Sequence, residues 1–324
     1  MPKRALITGG AGFIGSHLAE ALLAEGMEVT ILDDLSTGRF QNIASLEGRD
    51  DVQIIIDSVF NDDLVSDLVQ QSNVVFHLAS AVGVKLIIEQ PVKTIETIVG
   101  GTEIVLRHCS RFRRPVLITS TSEVYGKGQK IPFHEDDDLV TGATSRHRWA
   151  YACSKTLDEF LALAHHRETH LPVAIVRLFN TVGPRQTGQY GMVIPNFVQA
   201  ALDGRPLVVH GDGKQSRCFA HVADVTTALL KIMGTSACFG RVVNIGNEEE
   251  ISINDLAAKV IQWTGSKSEI QHIPYTEAYG DGFEDMQRRV PCLKRAAELI
   301  GYEPTRDLKQ IILDVARSMR VDQV

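Results

Sequence analysis

Arg4-Ala5-Leu6-Ile7-Thr8-Gly9-Gly10-Ala11-Gly12-Phe13-Ile14-Gly15 opens the chain and decides its architecture. The first five residues make an apolar, β-like run, and the glycines follow at once. Beyond them Ile14, Leu18, Ala21 and Leu22 recur on one helical face. Glycines at 9, 12 and 15 let the chain turn tightly, approach a pyrophosphate and pack the helix on the sheet. The helix N-terminus then offers unpaired backbone amides to phosphate oxygens. Gly9, Gly12, Phe13, Ile14 and Gly15 are therefore expected against a dinucleotide. Val29-Thr30-Ile31-Leu32 leads to Asp33. An acid at the end of the second strand meets ribose hydroxyls and repels a 2′-phosphate, which predicts NAD rather than NADP.

The alternation continues. Val52 to Ile56 reads as a third strand ending in Asp57-Ser58, an expected adenine contact. Asn73 to Leu78 reads as a fourth, and the small residues of Leu78-Ala79-Ser80 suit a path beneath the dinucleotide. His77 reads as a structural histidine at the strand end. Thr94 to Cys109 reads as a helix, Pro115 to Thr119 as a central strand and Val173 to Leu178 as another. Such buried strands separated by helices predict an α/β fold, a Rossmann-type doubly wound parallel sheet with ligands at the strands' carboxyl ends. From about Tyr190 the pattern is less regular. Helices are expected over Val193–Leu202, Val222–Met233, Ile253–Thr264, Leu293–Ile300 and Leu308–Met319, with strands at Leu207–Val209 and Val242–Ile245. This predicts a smaller C-terminal α/β substrate-binding subdomain, dividing the chain near 1–180 and 181–324 with an interleaved boundary.

Bulk properties narrow the function. A chain of 324 residues, 44% hydrophobic and 23% charged, is that of an ordinary globular protein. A net charge of −7 argues against a nucleic-acid surface. Five scattered cysteines form neither a disulfide framework nor a metal-ligand spacing, which predicts reduced thiols, a cytoplasmic setting and no metal. No apolar stretch reaches membrane-spanning length.

Two stretches carry chemistry. Thr119-Ser120-Thr121-Ser122-Glu123-Val124-Tyr125-Gly126 follows a central strand, so its hydroxyls and Glu123 face the ligand side. Tyr151-Ala152-Cys153-Ser154-Lys155 begins a helical run to about His170, and positions i and i+4 share a face. A tyrosine base at neutral pH needs its ordinary pKa of ~10 lowered by roughly 3 units, or about 4 kcal/mol. One lysine charge at about 4 Å, in an effective dielectric near 20, supplies about that much. Such a tyrosine could take a proton from a sugar hydroxyl while hydride leaves the same carbon. The acidic run Glu135-Asp136-Asp137-Asp138 reads as a solvated loop, and His165 and His166 as solvent-side residues. Arg148, in Arg146-His147-Arg148-Trp149, is a candidate anion contact.

Taken together, these motifs resemble the extended short-chain dehydrogenase/reductases that act on nucleotide sugars. Leu178-Phe179-Asn180-x-x-Gly183-Pro184-Arg185, Gly211-Asp212-Gly213-Lys214-Gln215-Ser216-Arg217 and His221-Val222-x-Asp224 extend the likeness over essentially the whole chain. Within the family, hexose 4,6-dehydratases carry Asp-Glu where this chain has Ser122-Glu123, and simple 4-epimerases usually lack the glutamate. Thr121-Ser122-Glu123 is similar to the turn of UDP-glucuronate decarboxylases. So is Tyr279-Gly280-x-Gly282-Phe283-x-Asp285-Met286-Gln287-Arg288-Arg289-Val290-Pro291, in which the arginine two before the proline, here Arg289, is catalytic. The loop from Lys127 to His134 is undistinguished.

The resemblance implies an enzyme that decarboxylates UDP-glucuronate to UDP-xylose through a 4-keto intermediate, with NAD regenerated. Thr121, Ser122, Glu123, Tyr151, Lys155 and Arg289 would be catalytic. Thr119, Tyr151 and Lys155 would join the cofactor contacts. Asn180, Arg185, Arg217 and Arg289 would hold the nucleotide and its phosphates. A 4-epimerase of UDP-glucuronate or another UDP-hexose is the nearest alternative, and a non-catalytic NAD-binding regulator is one of another class. Paired helices from the Thr94–Cys109 and Tyr151–His170 regions imply a homodimer, with neither nucleic acid nor membrane as partner.

Overall fold

The protein, described here as a computed structural model, is laid out for residues 3–80, 90–146, 148–188, 192–274, 277 and 286–321, apart from the side chains of Arg148 and Val321. His147, Tyr190 and the Tyr279–Asp285 half of the last motif lie outside the described residues.

Strands β1 (Arg4–Thr8), β2 (Glu28–Asp33), β3 (Val52–Ile56), β4 (Val74–His77), β5 (Val116–Thr121) and β6 (Val173–Leu178) make most of the central sheet. Short strands β7 (Thr181–Val182), β8 (Leu207–His210), β9 (Ser216–Cys218) and β10 (Ala220–His221) follow, then β11 (Arg241–Ile245), β12 (Glu250–Ser252) and β13 (Ile270–Ile273). The intervening helices are α1 (Phe13–Ala24), α2 (Asp62–Gln71), α3 (Pro91–Phe112), α4 (Arg148–Thr169) and α5 (Val193–Leu202). They continue with α6 (Val222–Gly234), α7 (Ile253–Thr264), α8 (Lys294–Ile300) and α9 (Leu308–Val321).

Seven parallel strands lie in the order β3-β2-β1-β4-β5-β6-β11. The order reverses between β1 and β4, the switch point where such sheets open a crevice. Leu6, Ile7, Ile31, Phe76, Leu117 and Ile175 are at most 1% exposed, so both faces of the sheet are covered. One apolar core lies between the sheet and α1 and α6, and a second lies between the sheet and α2, α3 and α4. A third gathers α5, α7 and α9 around β8. Val242–Ile245, expected in the C-terminal part, forms β11 at the edge of the main sheet and pairs with β6. The chain thus returns to the first core after entering the third.

Two surface expectations are corrected. Glu135 is buried, not solvated. Its Oε1 accepts from the Asn244 backbone amide at 3.0 Å, and its carbonyl accepts from Arg177 at 3.0 Å. Arg295 lies beside it and pairs with Asp136. The β11 amide and the α8 guanidinium compensate a carboxylate that composition alone would leave in water, while Arg177 of β6 holds the Glu135 backbone. His166 is also structural, its Nδ1 lying 2.7 Å from the Leu171 carbonyl.

Candidate active site

A cleft of 1110 Å³ runs along the carboxyl ends of the strands. Gly9, Gly12, Phe13, Ile14, Gly15, Asp33, Asp57, Ser58, Leu78, Ala79, Ser80 and Thr119 line its dinucleotide arm. Thr121, Ser122, Glu123, Tyr151 and Lys155 meet it in the middle, and Asn180, Arg185, Arg217 and Arg289 lie on the far side. Every residue expected above to be catalytic, cofactor-binding or substrate-binding lines this one cavity, while the side chain of Arg148, the candidate anion contact, lies outside the described residues.

The glycine turn is tight for measurable reasons. Gly9 has φ +74°, and a Cβ there would lie 2.7 Å from the Ala79 amide. A Cβ on Gly15 would collide with the Gly9 carbonyl. β1, the turn and the end of β4 therefore close on one another only as glycine backbone. Helix α1 starts at Gly12 with no side-chain cap and no acid in its first turn, so its amides and dipole are open to an anion. Asp33 accepts from the Ala11 amide at 2.9 Å and from the Leu35 amide at 2.8 Å. It braces the turn as well as facing the cleft, and burial pushes its pKa up. Ser80 Oγ is buried in this arm without a hydrogen-bond partner. An open helix end, a glycine cradle and an orphaned hydroxyl fit a dinucleotide.

The side chains expected to react come from three directions. Strand β5 ends at Thr121, whose Oγ1 accepts from the Glu123 amide at 3.2 Å and caps the turn Ser122–Tyr125. Tyr125 anchors that turn in the core. Its ring stacks on Phe133 at 4.6 Å, and its hydroxyl donates to Asn244 Oδ1 at 2.8 Å. Arg289, 6% exposed, reaches Glu123 Oε1 at 2.7 Å and Ser122 Oγ at 3.4 Å. Tyr151 and Lys155 arrive on α4. The Thr121 hydroxyl beside it favours the ionised form of the Tyr151 phenol.

One electrostatic expectation is overturned. Lys155 was expected to lower the Tyr151 pKa, yet that pKa is raised, first by burial and then by Glu123, with Asp158 adding to it. The Lys155 ammonium is committed to Asp158 Oδ2 at 2.9 Å. A carboxylate at contact distance cancels most of the field that the phenol would feel. His77 is structural, as expected. Its Nδ1 lies 2.7 Å from Thr8 Oγ1 and its Nε2 3.2 Å from Thr102 Oγ1.

Burial and Lys155 push the His77 pKa from 6.5 down to about 3. The unfolded chain therefore binds an extra proton between those values. The contribution of His77 is complete above about pH 6.5 and is lost toward pH 3, at about 1.4 kcal/mol per pH unit. Thermal unfolding between pH 7 and pH 4.5 should show a shallower pH slope for His77→Asn than for the wild type. Equal slopes would refute this assignment.

On the far side, Arg185 pairs with Glu20 at 2.5 Å and Asn180 donates to the Cys218 carbonyl at 2.8 Å. Arg217 donates to the Ser216 carbonyl at 2.7 Å. These contacts hold the side chains at the cleft wall. Sequence reasoning missed Asp158, although its spacing from Tyr151 and Lys155 puts it on their helix face. It also missed Arg177, which holds Glu159 Oε2 at 2.7 Å one turn beyond Lys155.

Residues 5–246 match a family model described as the NAD dependent epimerase/dehydratase family. The chain is 45% identical over 305 residues to a UDP-N-acetyl-alpha-D-glucosaminuronate decarboxylase of Bacillus cytotoxicus, covering 94% of each chain. It is 35% identical over 308 residues to UDP-glucuronic acid decarboxylase 1 of Danio rerio, covering 95% of this chain and 70% of that one. Among solved structures it resembles the UDP-glucuronic acid 4-epimerase from Bacillus cereus in complex with UDP-glucuronic acid and NAD. That match has a TM-score of 0.87 and 28% identity and covers 98% of this chain and 99% of the other.

Proposed function

The chain belongs to the NAD-dependent epimerase/dehydratase family, and from that premise we propose that it is an NAD-dependent decarboxylase of a UDP-hexuronate, acting through a 4-keto sugar. The observation that carries this reading is the Ser122–Glu123–Arg289 cluster at the mouth of the Tyr151 site.

Tyr151, with Thr121 at its phenol, takes the proton of the 4-hydroxyl. NAD, held by the glycine turn, Asp33 and Ser80, supplies the oxidation of that carbon and its final reduction. The 4-ketone stands β to the carboxylate, so the electrons of the breaking carbon–carbon bond pass to the ketone oxygen as carbon dioxide leaves. The Tyr151 phenol then donates a hydrogen bond to the enolate oxygen. Arg289 and Ser122 hold the ring, and Glu123, an ionised carboxylate beside Arg289, takes up a proton from solvent and passes it to the fifth carbon. Tyr151 finally returns its proton to the 4-oxygen. Asn180, Arg185 and Arg217 hold the nucleotide.

UDP-glucuronate is the substrate that the motifs favour, and the 45% identical relative is named for the 2-acetamido analogue. Both carry the hydroxyl and the carboxylate that this chemistry uses. The test is incubation with NAD and each UDP-hexuronate in deuterated water. Carbon dioxide and a UDP-pentose with one deuteron at the fifth carbon are expected. A product that keeps its carboxylate, inverted at the fourth carbon, would make the protein a 4-epimerase. Binding of NAD and UDP-sugar with no turnover would leave a regulator.

The face of α3 and α4 is assigned to a second copy. Val92, Ile95, Leu157 and Phe160 are between 42% and 67% exposed there. Light scattering on the purified protein tests that assignment. Among the described residues, no helix is long and apolar enough to cross a membrane.

A further inference from the structure

Tyr151, Lys155, Asp158 and Ala162 are spaced four, three and four residues apart along α4, so they form one stripe of the helix. An inward stripe of this kind is ordinarily apolar. Here it carries a phenol, an ammonium and a carboxylate. The side chains of Lys155 and Asp158 are 3% and 0% exposed, with Nζ and Oδ2 2.9 Å apart.

Burial pushes the Asp158 pKa up, while Lys155 and, more weakly, the Thr102 hydroxyl of α3 favour its charged form. Asp158 Oδ1 is buried without a hydrogen-bond partner, so the side-chain hydrogen bond that holds this carboxylate among the described residues is the one from Lys155. Close by, His77 Nε2 lies 3.2 Å from Thr102 Oγ1 and His77 Nδ1 lies 2.7 Å from Thr8 Oγ1. The side chains of Thr8, His77, Thr102, Lys155 and Asp158 are all buried.

We propose that Asp158 is a positioning residue that fixes the Lys155 ammonium and sets how much of its charge reaches the Tyr151 phenol. The proposal rests on Tyr151 being the base. The other charges facing this pair are accounted for. Glu123 approaches from the turn after β5 and carries its partner Arg289. Glu159, on the same helix, is neutralised by Arg177 of β6. His77 of β4 is uncharged at neutral pH. Asp158 is therefore the charge whose removal leaves Lys155 uncompensated.

Tyrosinate absorbance is measured against pH in the NAD-bound protein, with Tyr151→Phe subtracted to isolate Tyr151. In Asp158→Asn the Tyr151 transition should fall by on the order of one pH unit. The acid limb of kcat/KM should move down with it. A transition that stays in place or rises would overturn the proposal. If the asparagine variant does not fold, Asp158→Ser removes the same charge with a smaller side chain and must give the same shift. The absorbance needs no turnover, so the two readings fail separately. A shift without decarboxylation sinks the proposed function alone. Decarboxylation without a shift sinks the role of Asp158 alone.

Discussion

Tyr151→Phe should lower kcat for UDP-hexuronate turnover by about 10³-fold, the range for loss of a positioned general base. The substitution deletes one oxygen and keeps the ring, so α4 and the cleft wall keep their packing. The side chains proposed to hold the nucleotide, Asn180, Arg185 and Arg217, lie after β6, after β7 and on β9, and the substitution leaves them in place. NAD and UDP affinities measured by calorimetry should therefore change little. In the wild type the phenol must ionise before it can act, and burial, Glu123 and Asp158 all resist that. kcat/KM should accordingly rise with pH through the acid limb. A variant retaining more than about a tenth of wild-type kcat would remove Tyr151 from the mechanism.

Arg177→Met should cost about 3–5 kcal/mol of stability, the range for stripping a buried carboxylate of its partner. Arg177 is 4% exposed. It forks onto Glu159 at 2.9 and 2.7 Å and donates to the Glu135 carbonyl at 3.0 Å. Its guanidinium also covers the Tyr125 ring at 4.7 Å. Methionine fills much of the volume but leaves Glu159 charged in the core, with only the Ser120 hydroxyl at 2.5 Å. Melting temperature should fall on the order of 10 °C. The double variant Arg177→Met, Glu159→Gln should recover a large part of that loss, because the stranded charge is then gone. A double variant no more stable than the single one would place the cost in packing instead.

The two variants probe different kinds of legibility. Tyr151 was found from a four-residue spacing, and the glycine turn from seven consecutive residues. In both cases the constraint is local. A turn with φ +74° at Gly9 or a shared helix face depends on backbone geometry within a few bonds. Glu159 and Arg177 belong to the other kind. Nothing local pairs the two, and they meet only when α4 and β6 are packed together. Glu135 was misread for the same reason, since an acidic run carries no mark of the donors that will surround it.

By itself the sequence determined the alternation of strands and helices, the doubly wound sheet, the glycine cradle for NAD and the Tyr151–Lys155 pair. Each follows from periodicity, or from conformations open to glycine. Only the tertiary structure decided that Arg289 meets Ser122 across 167 positions of chain, that Val242–Ile245 joins the main sheet, and that Lys155 faces Asp158. Local geometry acts through neighbouring bonds. The charge that a buried group feels depends on which distant segments exclude water from it, and folding alone brings those segments together.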